Sequence, residues 1–197
     1  MIDQEAAVRI GYRPEDIARL HALAGGRFES VADIERVIDR LGYLYEWKAN
    51  YVIQSVRASL HSAKITCVDS AILTYGLFDF FPSVKHRILA IHRRDQAGEE
   101  CGHAVTLYWG ADGKIGAFSK SSFEGFGHRE PVYADEFSVA TSFAQAYLKM
   151  GFEPLYFGVT TLEEAAGDLD WRFHPGELNV LSERLQAKYE FAFMLAR

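Results

Sequence analysis

Three residues, Cys67, His103 and Ser119, have the types and spacing to do nucleophilic chemistry. Cys67 lies in ITCVDSAIL, where Thr66 and Asp69 mark a helix start and an apolar helix follows. A free thiol with a pKa near ~8.5 is mostly protonated at neutral pH, and a helix N-terminus or a neighbouring imidazolium favours its thiolate. With Thr66 as the N-cap and Asp69 at the third helical position, Cys67 falls in the first turn. The free backbone N–H groups there suit an oxyanion. Asp69 opposes a thiolate if it points at the sulfur, and a capping role turns it elsewhere. His103 opens the strand-like HAVTLYW, and Ser119 follows sixteen residues on in KIGAFSKSS. A lone buried Cys or a strand-edge His is commonly structural; the Cys, His, Ser order in one chain is the stronger signal.

The elements that must position these residues follow from periodicity. RPEDIARLHAL, with Pro14 near its start and Ile17, Leu20 and Leu23 on one face, predicts a helix ended by Gly25 and Gly26. A second helix begins at Ser30 and Asp33, carries Val31, Ile34, Ile38 and Leu41 as a stripe, and is expected to stop at Gly42. Val52, Val56 and Leu60 predict a third helix over residues 51–60. The fourth, from Cys67 to about Phe80, is apolar around its whole circumference and is therefore expected to be buried.

The period then changes. HRILAIH, residues 86–92, reads as a strand followed by a polar RRDQAGEE loop, then by the strands bearing His103 and Ser119. Residues 121–134 read as a structure-poor loop. DEFSVATSFAQAYL reads as a helix with Phe137, Ala140, Ala144 and Leu148 on one stripe, PLYFGV as a strand, and residues 177–196 as a closing helix. Helices first and mostly antiparallel strands after them predict an α+β fold.

Register decides what faces His103, because side chains alternate along a strand. A three-residue loop, Ala111 to Gly113, pairs Val105 with Ser119 and His103 with Ser121, so both hydroxyls share the histidine's face. A two-residue turn at Asp112 and Gly113 pairs Val105 with Lys120 instead and brings an ammonium to the site. Both registers fit the sequence. Lys120 and Ser121 are accordingly the candidate substrate-binding residues beside Ser119.

Composition narrows the function classes. The chain of 197 residues is long enough for one domain with a sizeable core, and its formal charge of −6, with no basic cluster beyond the Arg93 and Arg94 pair, argues against a nucleic-acid partner. No apolar run is long enough to span a membrane, and MIDQEAAVR lacks the basic-then-apolar pattern of a signal peptide, so a cytoplasmic location is expected. Two cysteines without C-x-x-C spacing indicate neither a disulfide framework nor a metal knuckle. A Cys67, Cys101, His103 metal site is the weakest option, having no fourth ligand, and no cofactor motif is present.

ITCVDSAIL, GHAVTLYW and IGAFSKSS together resemble the core of the transglutaminase-like group of papain-like cysteine enzymes, over roughly Arg27 to Phe157. SKSSFEGFGHREPVY and IERVIDRLGYLY are similar more narrowly to a bacterial set of such proteins. The resemblance implies one domain over residues 1–197, with its core at about 27–157 and a C-terminal helical extension at 160–197. In it, the Cys-bearing helix packs on a mostly antiparallel sheet. It also implies Cys67 as nucleophile and His103 as general base and acid, and it puts Ser119 where the group carries Asp or Asn.

That departure matters, since a hydroxyl orients an imidazole weakly and barely stabilises imidazolium. Amidating the acid of a Ser-His-Asp enzyme costs ~10⁴-fold in turnover, although Cys enzymes tolerate a neutral Asn. The expected function is a cysteine-dependent amide or acyl hydrolase or acyltransferase, acting on a peptide or small amide or acyl substrate. The alternative is an inactive papain-like peptide-binding module.

Overall fold

The first helix ends where its sequence changes hand. Gly25 adopts φ 93°, in the left-handed region that favours glycine, and closes α1 (Pro14–Ala24). The protein is described here by a computed structural model covering residues 11–44, 53–166 and 189–190. In α2 (Val31–Arg40), the Ser30 N–H and hydroxyl both donate to Asp33 Oδ2, the reciprocal cap expected from the sequence. Gly42, however, does not cap this helix. It begins β1 (Gly42–Tyr43), which pairs in parallel with β2 (Lys64–Ile65), and a Cβ there would sit 2.9 Å from the Ala63 carbonyl oxygen. Close backbone approach, rather than a left-handed turn, is what that glycine permits.

Between β1 and β2 lies α3 (Val56–His61), capped by Ser55, whose Oγ accepts from the Ala58 N–H. The expected helix over residues 51–60 thus starts later, and residues 51 and 52 lie outside the described set. Next comes α4 (Cys67–Leu77), in which ten of eleven residues are buried, followed by a 3-10 turn at Phe78–Phe80. Its all-round apolar character has the expected consequence.

The sheet that follows has six antiparallel strands in the order β6-β5-β4-β3-β7-β8. These are β3 (His86–Arg94), β4 (Glu100–Trp109), β5 (Ile115–Phe118), β6 (Arg129–Tyr133), β7 (Glu153–Thr160) and β8 (Tyr189–Glu190). On one face, Ile88, Ala90, Ala104 and Tyr108 pack with the N-terminal helices. On the other, Leu89, Ile91, Val105 and Leu107 pack against Val139, Ala140, Phe143, Ala144 and Tyr147 of α5 (Glu136–Lys149). The fold is α+β, with helices and an antiparallel sheet. A short helix, α6 (Leu162–Ala166), follows β7.

Four expectations need correction. β3 runs on to Arg94, so the first two residues of the expected RRDQAGEE loop belong to the strand: Arg93 pairs with Cys101 and Arg94 with Glu100. Residues 121–134 contain β6, whose alternating half-buried and exposed pattern hid it. The buried stripe of α5 is rotated from the expected one, leaving Phe137 and Leu148 exposed, because Val139, Phe143 and Tyr147 fill the sheet-facing side more completely. The closing helix expected over 177–196 lies outside the described residues except at Tyr189–Glu190, which form a strand paired with β7. No helix among the described residues is long and apolar enough to cross a membrane.

Candidate functional site

Local capping chemistry sets Cys67 at the first position of α4. The Thr66 Oγ1 accepts from the Asp69 N–H at 3.2 Å, while Asp69 Oδ2 accepts from the Thr66 N–H at 2.9 Å and from the Thr66 hydroxyl at 2.9 Å. The second carboxylate oxygen accepts from the Gln54 N–H at 2.8 Å. Asp69 is therefore fully buried by its own hydrogen bonds and spent on the cap.

Helix α4 is fixed to the sheet by Thr106 of β4, whose hydroxyl donates to the Ala71 carbonyl at 2.7 Å. Strand β5 pairs with β4 only from Thr106 to Trp109, so β4 from Glu100 to Val105 has no β5 partner. Cys67 sits beside that vacated stretch, where the Ala104 N–H, the Val68 N–H and the Tyr43 hydroxyl donate toward its sulfur. Those donors favour thiolate, yet burial outweighs them and, together with the Asp69 charge, pushes the thiol above its ordinary range.

The register of β4 and β5 is the one given by a three-residue loop, with Thr106 opposite Phe118. Gly110 donates to the Lys114 carbonyl, and Gly113 turns at φ 78°. Ser119, just past β5, thereby lies on the His103 face. His103 Nε2 is 2.8 Å from Ser119 Oγ, and Ser119 Oγ donates to the Phe126 carbonyl at 2.5 Å. A hydroxyl has one hydrogen, and the carbonyl takes it. Nε2 must then carry the proton it shares with Ser119, which leaves Nδ1 as the basic nitrogen of the neutral ring.

The ring is neutral over the physiological range. Burial first, then the Arg93 and Arg129 charges, push its pKa down to about 3. Phe126 meets it edge-on, with centroids 5.5 Å apart. Arg129 is held over Phe143 and donates to the Gly125 carbonyl.

Cys67 and His103 line one cleft, together with Tyr43, Arg93, Ser121 and Tyr147. Its open volume is about 20 Å³, room for one water-sized group. Ser121, a sequence candidate, is at this cleft, and its hydroxyl accepts from the Phe123 N–H at 3.1 Å. Lys120 is not: alternation turns it away, and its ammonium donates to the Asp39 carbonyl at 3.3 Å. Cys101 lies opposite Arg93, and no group of three His, Cys, Asp or Glu side chains able to hold a metal occurs among the described residues.

Sequence reasoning missed Tyr43, Arg93, Tyr147 and the Phe126 carbonyl. Of these only Arg93 left a usable signal, as the next term in the alternation Leu89, Ile91, Arg93. Tyr147 is buried and lines the cleft, its hydroxyl pushed up by burial and by the nearby Cys67 sulfur and pulled back by Arg93.

No family model matches the chain, and no curated protein sequence matches it. Among solved structures, Legionella pneumophila LapG aligns with 94% of this chain and 97% of its own, at 11% identity and a TM-score of 0.43.

Proposed function

We propose that this protein is a thiol enzyme acting on an amide or related acyl carbonyl, with Cys67 as nucleophile and His103 as general base and acid. The observation that carries this reading is the hydrogen-bond chain from His103 Nε2 through Ser119 to the Phe126 carbonyl, in a cleft shared with the cysteine. It supports an imidazole held in one tautomer with a basic nitrogen to spare, the task that Asp or Asn performs in related chemistry.

Burial keeps both partners neutral, so the thiol proton leaves during attack rather than beforehand. In the first step the Cys67 proton passes to His103 Nδ1 while sulfur bonds to the carbonyl carbon. The N–H groups around the sulfur receive the developing oxyanion. The carbon–nitrogen bond then breaks as His103 returns that proton to the leaving amine. Water or a second amine reverses the sequence on the thioester, completing hydrolysis or transfer.

Iodoacetamide with peptide mapping tests this near pH 7.5. Cys67 is expected to react at least tenfold faster than Cys101, and His103→Ala should remove the difference. Equal, slow rates at both cysteines would overturn the reading.

A specific observation favours a second reading. With Cys67 only 3% exposed and no carboxylate on His103, the groove also suits a catalytically silent peptide-binding module. In that case peptide binding persists in Cys67→Ala, and the wild type resists thiol labelling.

A further inference from the structure

Arg93 is a buried cation with no acidic side chain paired to it among the described residues. It stands on β3 directly opposite Cys101, on the sheet face that carries His103, and is 5% exposed. Its guanidinium carbon lies 3.6 Å from the Phe152 ring centroid and 4.9 Å from that of Tyr147. These two rings pack against the guanidinium. Two of its three nitrogens, Nε and Nη1, are buried without a hydrogen-bond partner among the described residues. Among the described residues, no Asp or Glu lines the cleft that Arg93 shares with Cys67. A charge removed from water is tolerated where something else supplies its counter-charge, and arginine suits oxyanions in such settings.

We infer that Arg93 is the recognition group for a carboxylate on the acyl substrate, whose oxygens accept the unpartnered guanidinium hydrogens beside Cys67. The inference rests on the thiol-enzyme reading for the identity of the reacting group. The bound anion would also offset one of the two positive charges that oppose protonation of His103. Substrates are therefore acyl compounds or peptides with a carboxylate close to the reacting carbonyl.

Iodoacetate and iodoacetamide differ chiefly in charge and test this directly, with free cysteine in the same tube as reference. At Cys67 the iodoacetate-to-iodoacetamide rate ratio is expected to exceed that of free cysteine at least tenfold. Arg93→Gln should return the ratio to the reference value, and Arg93→Lys should fall between. Selective iodoacetamide labelling with a reference-like ratio would overturn the carboxylate site and leave the thiol enzyme standing. Slow labelling of Cys67 by both reagents would sink the thiol enzyme instead.

The anion site is then read without the sulfur, and without relying on Arg93→Gln to fold. In Cys67→Ala, propionate at constant ionic strength is expected to raise the melting temperature by at least 2 °C over chloride. No such rise would overturn the inference whatever the labelling shows.

Discussion

His103 and Ser119 are joined by a 2.8 Å hydrogen bond in which the ring is the donor, because the serine hydrogen is already committed to the Phe126 carbonyl. A neutral relay thus orients the ring. It fixes direction and tautomer but contributes no charge, so an imidazolium at this position is stabilised less than it would be beside a carboxylate.

Ser119→Ala should therefore act through the histidine's tautomer rather than through binding. Removing the hydroxyl leaves Nε2 and the Phe126 carbonyl unpaired in a buried place, at a cost of about 1–3 kcal/mol. Nitrogen-15 NMR of the ring is expected to show the Nε2–H form in the wild type and a mixture in the variant. Labelling of Cys67 should fall on the order of tenfold, and Ser119→Thr should restore most of it. A single unchanged tautomer in Ser119→Ala would remove the positioning role.

Burial of His103 also gives stability a defined pH dependence. The unfolded chain takes up a proton near pH 6.5, whereas the folded ring does so only at about 3. The unfolded state therefore binds more protons between these values, and stability falls as pH is lowered through that window. The contribution is complete above 6.5 and declines by about 1.4 kcal/mol per pH unit below it. Urea titrations at pH 7, 6, 5 and 4 should show the decline, and His103→Gln should flatten it.

How far this site could be read in advance depended on whether the determining interactions are local. The placement of Cys67 was legible because Thr66 and Asp69, one before and two after it, fix the helix start by themselves. The face of Ser119 was not, since it turns on whether the hairpin loop has two or three residues, and Asp112-Gly113 fits both. Arg93 was lost for a related reason. RRDQAGEE is polar enough to read as a loop, and only pairing with Cys101 and Glu100 keeps its first residues in β3. In α5 the tertiary partner chose between two overlapping apolar stripes: Ala140 and Ala144 belong to both, while Phe143 and Tyr147 reach the sheet and Phe137 and Leu148 do not. Helix existence is a local property, whereas its orientation is set by what it packs on.

Asp69 couples folding to the reactivity of the thiol with opposite signs. Asp69→Asn keeps the shape but halves the acceptor capacity at a buried carboxylate that takes three donors, one of them the Thr66 N–H that closes the capping box. Stability is expected to drop by about 1–3 kcal/mol. The same change removes a negative charge that raises the Cys67 pKa, so the thiol should titrate lower than in the wild type. Thiolate absorbance at 240 nm against pH, compared in the Cys101→Ala background, checks the direction.

Thr106 connects the two halves of the site, since its hydroxyl holds the Ala71 carbonyl of the cysteine helix while its neighbours Val105 and Ala104 lead back to His103. Thr106→Val is nearly the same size but replaces the hydroxyl with a methyl group, so the Ala71 carbonyl keeps only the bond from its own helix and loses its tie to β4. A loss of about 0.5–1.5 kcal/mol is expected in chemical denaturation. Because this bond sets how far α4 stands from β4, the helix end carrying Cys67 should also shift from the Ala104 N–H. Cys67 labelling is then expected to fall more than global unfolding accounts for, and Thr106→Ser, which retains the donor, should recover it. Equal losses of labelling and stability in both variants would mean that the bond holds the fold without aligning the site.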